Sequence, residues 1–221
     1  MLKERLLNIG TSGLLLASFG FISVLLLALV YSQTEAQIKD NQRQTLLKQL
    51  NEIIAAKRYD NILDQSVLTL PYTAFKSKKP VRVYLATKAK KAVAAVFMIT
   101  TMRGYSGAIT LLVGVNHDQT ISGVRVVAHK ETPGLGDKID ISKSDWIKNF
   151  QHKSLHNPEP IAWAVKKDQG DFDQFTGATI TPRAVVATVK QVLQWSQQHF
   201  DELFSEKYQN TPPSAMQSNT P

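Results

Sequence analysis

The chain has 221 residues, which is room for one membrane segment and one domain of ordinary size. It contains no cysteine, and this excludes disulfides, thiolate-bound iron–sulfur clusters, Cys-x-x-Cys-His haem attachment and thiol catalysis. None of its five histidines belongs to a His-Glu-x-x-His motif, so no metal site is expected, and any redox chemistry must come from another cofactor.

The N-terminal region predicts a membrane anchor. No charged residue lies between Leu6 and Tyr31, and this run is long enough to cross a hydrocarbon core of roughly 30 Å as a helix. A cleaved signal peptide is the competing interpretation, but its apolar region would be about 7–15 residues long and would end at a small-x-small site. Lys3 and Arg5 precede the run, so we predict cytoplasmic residues 1–8, a transmembrane helix at 9–31 and an extracytoplasmic body.

The segment after the anchor predicts a second helical region. Residues 38–57 lack glycine and proline, and their apolar side chains recur at helical spacing. We therefore predict a helical membrane-proximal segment at 32–70 and a folded domain at 71–207. Pro71 and Pro80 interrupt regular structure at the start of the folded domain.

A basic stretch without acidic residues follows Pro71. Its seven members are Lys76, Lys78, Lys79, Arg82, Lys88, Lys90 and Lys91. A solvated surface is the simplest interpretation, and contact with anionic lipid or a partner protein comes second. We expect no nucleic-acid binding, because exposed aromatic residues are not interleaved with these charges.

Four apolar runs predict β-strands at residues 81–86, 92–101, 108–115 and 121–128. Short polar turns separate them, which favours antiparallel pairing. No Gly-x-Gly-x-x-Gly leads from a strand into a helix, so a doubly wound dinucleotide-binding fold is not indicated. The predicted fold class is therefore α+β, with a mainly antiparallel sheet flanked by helices.

The loop after the last strand reads Glu131-Thr132-Pro133-Gly134-Leu135-Gly136-Asp137-Lys138. Loops of this composition expose backbone N–H groups that can contact a flavin or a phosphate, although an ordinary tight turn is the simplest interpretation. Beyond it, Ser144-Asp145 is predicted to cap a short helix that carries Trp146, Ile147 and Phe150, and a short strand is predicted at 161–165.

A threonine-rich turn, Asp173-Gln174-Phe175-Thr176-Gly177-Ala178-Thr179-Ile180-Thr181-Pro182-Arg183, leads into the last predicted helix. Thr181 is expected to be the N-cap and Pro182 the first helical residue. A helix N-terminus offers free N–H groups and a partial positive charge to a phosphate, and Arg183 could add a formal charge. A capped helix after a polar loop remains the simpler alternative. The helix is expected to reach about residue 207, followed by a disordered tail at 208–221.

The pattern Asp-x-x-Thr-Gly-Ala-Thr resembles the flavinylation motif of bacterial flavoproteins. Four segments together, 104–107, 124–126, 129–139 and 176–181, resemble the G subunit of the Rnf (Rsx) electron-transport complex. The C subunit of the sodium-pumping NADH:quinone reductase shares the loop and the attachment threonine, and it stays the nearest alternative. Two other classes of function remain as alternatives. One is a hydrolase or transferase with a threonine nucleophile, for which the sequence offers no base at a recognisable motif spacing. The other is a membrane-tethered scaffold without a cofactor.

The resemblance implies that FMN is attached covalently to Thr179 through a phosphoester. It also implies cofactor contacts in the two loops, at Thr176, Gly177, Ala178, Thr181, Glu131, Thr132, Gly134, Leu135 and Gly136. No catalytic residue and no metal ligand is expected in this redox protein. The implied partners are the bilayer, the other subunits of an ion-translocating complex and a flavin transferase for maturation. The implied location is the bacterial inner membrane, with the main domain in the periplasm.

Overall fold

The computed structural model describes residues 2–75, 77 and 79–205, and it describes the side chains of all of these except 2–12, 72 and 73. Lys76 and Lys78 of the basic stretch, and the predicted tail at 208–221, lie outside the described residues. The chain divides into two compact units, the first ending at Leu46 and the second beginning at Leu47.

The first unit is helical throughout its described part. Helix α1 (Leu2–Ile53) is continuous over 52 residues, and its apolar side chains between Leu14 and Val30 are exposed rather than packed in a core. By length and composition it is the one helix in the described chain suited to crossing a membrane. The described helix therefore agrees with the predicted membrane span in length and in the exposure of its apolar side chains.

The segment predicted to be helical from 32 to 70 is helical only as far as Ile53. A short 3₁₀ helix (Ala56–Arg58) and strand β1 (Val67–Leu70) follow it. The prediction was wrong here because tertiary pairing decides the structure of this segment. Strand β1 pairs antiparallel with the next strand from Val67↔Tyr84 to Leu70↔Val81, and the Asn61 side chain donates to the carbonyl of Leu85 at 2.8 Å.

The second unit is built on a five-stranded antiparallel meander. After β1 come β2 (Val81–Lys88), β3 (Lys91–Thr101), β4 (Ile109–Asn116) and β5 (Ile121–Ala128), in sheet order β1-β2-β3-β4-β5. These four strands were predicted to within two residues at each end. Their antiparallel pairing and the α+β class are confirmed.

Both faces of the sheet are covered, which explains why the strands are nearly continuously apolar. Helix α2 (Ile180–Leu203) covers one face with a fully or almost fully buried stripe of Val185, Val189, Val192, Leu193, Phe200 and Leu203. Residues at the end of α1 cover the other face. Ile53 is buried against Gly114 and Gly123, and the Arg125 guanidinium binds Glu52 at 2.8 Å. The loops that follow the strands therefore start from a sheet that is packed on both faces.

Between β5 and α2 the chain forms loops and short 3₁₀ helices. The short helix predicted after Ser144-Asp145 is a 3₁₀ helix (Asp145–Phe150), and Ser144 caps it as predicted by accepting from the N–H of Trp146. The strand predicted at 161–165 is wrong. Pro160 starts a 3₁₀ turn (Pro160–Ala162) there, and only Val165 forms an isolated bridge, with Phe172. A proline at the first position of a turn outweighs the apolar composition of this short run.

Candidate functional site

Three segments that are far apart in sequence meet at the carboxylate of Glu131. This side chain is only 4 % exposed, and one of its oxygens accepts from the backbone N–H of Ser106 at 3.0 Å. Its other oxygen accepts from the hydroxyl of Thr181. Glu131 therefore joins the turn at 104–107, its own loop at 131–138 and the first turn of α2.

Two glycines let the backbone approach this carboxylate closely. A Cβ atom on Gly136 would lie 2.9 Å from both Glu131 Oε2 and Thr181 Oγ1, and one on Gly104 would lie 2.7 Å from Glu131 Oε1. Non-bonded atoms in a close-packed interior cannot approach that closely without something moving, so a larger residue at either position would disturb the junction.

The loop at 131–138 lies beside the threonine-rich turn. The carbonyl of Thr132 accepts from the N–H groups of Leu135 and Gly136, both at 3.1 Å, and Gly134 has the positive φ of 77° that such a turn requires. Leu135 is 44 % exposed, and its Cδ2 lies 3.9 Å from the point that a Cβ on Gly177 would occupy. The loop therefore borders the turn that carries Thr179.

The turn presents unused hydrogen-bonding groups at the start of α2. Thr179 is half-buried at the N-cap position, and its hydroxyl makes no hydrogen bond with any described residue. Within the same described chain, the backbone N–H groups of Thr179, Ile180 and Thr181 donate to no partner, and Pro182 has no N–H. Unpaired N–H groups at a helix N-terminus form a site for an anionic group.

The predicted role of Thr181 as the N-cap is wrong. The helix begins at Ile180, so Thr179 occupies the cap position and Thr181 is the second helical residue. Thr181 is fully buried, and its hydroxyl donates to Glu131. The physical reason is that a buried carboxylate must receive donors from the protein, whereas amides at an exposed helix end can be satisfied by solvent or ligand.

Arg183 does not supply a free charge to this site. Its guanidinium binds the carboxylate of Asp168 in a bidentate pair with both N···O distances at 2.5 Å. The hydrogen bond and the attraction of Arg183 lower the pKa of Asp168, and the same hydrogen bond raises the pKa of Arg183. The pair fixes the loop before the threonine turn onto α2, which is a structural role.

Sequence reasoning missed two side chains that hold the turn in place. The indole of Trp146 donates to the carbonyl of Asp173 at 2.8 Å and packs edge-on against Phe175 with ring centroids 5.2 Å apart. Lys166 binds the Asp173 carboxylate at 2.6 Å. Nothing in the spacing of Trp146 distinguishes it from a core residue. Asp173 is the first residue of the Asp-x-x-Thr pattern, and its charge could have indicated a basic partner such as Lys166.

The surroundings of the free Thr179 hydroxyl suit a flavin. The exposed apolar side chains of Tyr105, Leu135 and Ile180, which are 70 %, 44 % and 45 % exposed, belong to the three joined segments. The hydroxyls of Thr132 and Thr176 are exposed and have no partner among the described residues. A phosphate at the helix end and a flat aromatic ring beside apolar side chains would match these two kinds of surface.

Comparison with known proteins agrees with this geometry. A family model described as FMN-binding domain matches residues 104–194, which include all three segments that meet at Glu131. A second model, described as RnfG N-terminal region, matches residues 1–53.

Similar proteins share nearly the whole chain. A protein of Pseudoalteromonas atlantica is 47 % identical over 198 residues, covering 89 % of this chain and 92 % of its own length. One from Vibrio cholerae is 42 % identical and covers 88 % and 93 %, and one from Cereibacter sphaeroides is 45 % identical and covers 88 % and 87 %. All three are named as the G subunit of the ion-translocating oxidoreductase complex. Their names agree with the first interpretation of the motifs rather than with the alternative from the sodium-pumping NADH:quinone reductase.

Proposed function

This chain belongs to the family formed by the G subunit of the ion-translocating oxidoreductase complex, and from that premise we propose that its FMN is covalently bound through the hydroxyl of Thr179. The chain is a membrane-anchored electron-transfer protein with an FMN-binding domain, and it works with the other subunits of its complex. The covalent link, its position and the orientation in the membrane are the parts that we propose.

One observation carries the choice of Thr179. Its hydroxyl has no partner in the described chain, although it stands at the cap position where a threonine usually accepts from the first-turn N–H groups. A hydroxyl without a structural role can be esterified at no cost to the fold. Thr181, the other threonine of the first turn, is fully buried and bound to Glu131, so a transferase cannot reach it.

The other residues of the site have separate roles in this proposal. The backbone at Gly177 and Ala178 and the N–H groups of residues 179–181 surround the phosphate, where the helix dipole favours its charge. Leu135 packs against the ring side of the cofactor. A further group of residues holds the loop against α2 without touching the flavin. The Thr181 hydroxyl donates a hydrogen bond to the Glu131 carboxylate, and Gly136 leaves room for this contact.

A covalent bond suits a cofactor outside the cytoplasm, where dissociated FMN would be lost by dilution. The phosphoester uses the phosphate and leaves the isoalloxazine ring free to exchange one or two electrons. Because Lys3 and Arg5 precede the apolar run, we propose that the body of the protein lies in the periplasm, with the N-terminus in the cytoplasm and α1 in the inner membrane. A flavin transferase in that compartment would form the bond.

The proposal is tested by in-gel fluorescence of the full-length protein co-expressed with a flavin transferase. We expect a fluorescent band for the wild type and none for Thr179→Val, which is nearly isosteric. Thr176→Val is the matched control, because Thr176 lies in the same turn and its exposed hydroxyl also has no partner in the described chain. It should keep the fluorescence. A fluorescent Thr179→Val band, or loss of fluorescence in Thr176→Val alone, would contradict the assignment.

A further inference from the structure

The exposed apolar side chains of the second unit are concentrated at the end of the sheet that carries the candidate flavin site. Strand β3 ends there, β4 begins there and β5 ends there. Seven large apolar side chains are exposed in the described part of this unit, and five of them lie in the segments 102–107, 127–138 and 176–181: Met102, Tyr105, Val127, Leu135 and Ile180. Such a concentration of exposed apolar side chains at one end of a folded domain indicates an interaction site.

The flavin does not use all of these side chains. Tyr105, Leu135 and Ile180 border it in the proposed site, whereas Met102 and Val127 are 47 % and 39 % exposed and have no role there. Tyrosine, methionine and arginine are the residues that protein interfaces favour, and all three occur in the turn from 102 to 107. The apolar side chains therefore extend the flavin site into a surface that a second protein can cover.

Three basic residues accompany the apolar side chains. Arg103, Lys130 and Lys138 are exposed, and their side chains form no hydrogen bond or ion pair with any described residue. Each is one or two positions along the chain from a residue at the Glu131 junction, so the spacing of about 3.8 Å between consecutive Cα atoms keeps all three backbones close to it. We call these three cations and the five apolar residues the flavin-end surface.

The exposed charges of this surface all have the same sign. The segments 102–107, 127–138 and 176–181 contain two acidic residues, Glu131 and Asp137, and both are buried. Asp173, just before the threonine turn, is already paired with Lys166. A protein that contacts this end therefore meets cations that can donate to it and no exposed carboxylate of these segments, which favours carboxylates on the partner.

We propose that the flavin-end surface docks the redox partner of the flavin within the complex, and that this partner presents exposed carboxylates around an apolar centre. The inference rests on the proposed position of the flavin at this end of the domain. A protein that exchanges electrons with the ring must approach it here. An anionic bilayer would also offer negative and apolar groups, but it would cover the flavin without exchanging electrons, so a protein surface is favoured.

The docking surface is tested by photo-cross-linking in native membranes that contain the complete complex. Benzoylphenylalanine replaces Met102, which is exposed and has no role in the proposed flavin site. Mass spectrometry should identify a cross-link to another subunit, in a peptide whose aspartates and glutamates outnumber its lysines and arginines. The matched control carries the same amino acid at Lys90, an exposed residue in the hairpin at the opposite end of the sheet, and should not yield that peptide. A cross-link to lipid alone, a cross-link to a peptide with an excess of basic residues, or no cross-link would overturn the inference.

Charge reversal tests the acidic character of the partner. Lys130→Glu combined with Lys138→Glu should lower the yield of the Met102 cross-link by at least about threefold at low ionic strength, and by less at high ionic strength, because salt screens exposed ion pairs. Lys90→Glu combined with Lys91→Glu is the matched control, since both lysines are exposed at the opposite end, and it should leave the yield unchanged. An unchanged yield in the first variant, or an equal loss in the control, would contradict an acidic partner at this surface.

In-gel flavin fluorescence of the same samples separates this inference from the proposed attachment. A wild type without covalent flavin would contradict the role of Thr179, whereas the cross-link at Met102 would still decide whether the surface docks a subunit. A fluorescent wild type without that cross-link would overturn the docking surface alone.

Discussion

Replacement of Thr181 by valine is the sharpest test of the junction at Glu131. The hydroxyl of Thr181 donates to a carboxylate that is 4 % exposed and has one other donor in the described chain, the N–H of Ser106. Valine has nearly the same shape, so the change removes a hydrogen bond and little else. Hydrogen bonds to charged groups contribute about 1.5–3 kcal/mol, and the acceptor left behind is buried. We expect a loss of about 2 kcal/mol in the free energy of unfolding, which is roughly 4–8 °C in Tm for a chain of this size.

Two controls separate the hydrogen bond from packing. Thr181→Ser keeps the hydroxyl and removes one buried methyl group, for which we expect a loss of about 1 kcal/mol. Thr188→Val removes another buried hydroxyl of α2, which donates only to the carbonyl of Ala184 at 2.7 Å within the same helix. Thermal and urea unfolding of the three full-length variants measure the difference. If Thr181→Val is no less stable than Thr181→Ser and Thr188→Val, the junction at Glu131 does not hold α2 to the loop.

The remaining predictions concern the glycines, one ion pair and the orientation in the membrane. Gly136→Ala should lose about 1–3 kcal/mol and reduce flavinylation, because its Cβ would lie 2.9 Å from Glu131 Oε2, whereas Gly13→Ala has open space and should be neutral in urea unfolding. Arg183 lowers the pKa of Asp168 below 3.8, so the stability from this pair is present above that pH and lost as the pH falls through the folded pKa. The difference in Tm between wild type and Asp168→Asn should therefore disappear in strong acid, and a difference that persists there would contradict this role. An alkaline phosphatase fused after Gln209 should be active, and an inactive fusion paired with a fluorescent cytoplasmic reporter at the same point would contradict a periplasmic domain.

The sheet and its long helices could be predicted because their signals are local. The strands of the meander are apolar runs between polar turns, and the buried stripe of α2 repeats at helical spacing from Val185 to Leu203. Strand β1 could not be predicted in this way. Its four residues pair with β2 through contacts that the sequence does not encode locally, and they follow a helix whose pattern gives no clear stop.

The candidate site was predictable as a set of motifs but not as a set of roles. The resemblance named the loop at 131–138 and the turn at 176–181, and the structure brings them into contact through Leu135 and Gly177. It could not show that Glu131 bonds to Thr181, since 50 residues separate them. The N-cap expectation failed for that reason, because a threonine before a proline has the same local pattern whether its hydroxyl caps the helix or meets a distant carboxylate.

The most direct measurement is mass spectrometry of a tryptic digest from cells that also express a flavin transferase. Cleavage after Lys167 and Arg183 releases one peptide, 168–183, that contains Thr176, Thr179 and Thr181. The account predicts that this peptide gains the mass of FMN less one water, and that fragmentation places the gain on Thr179. An unmodified peptide from flavin-fluorescent protein, or a gain placed on Thr176 or Thr181, would contradict it.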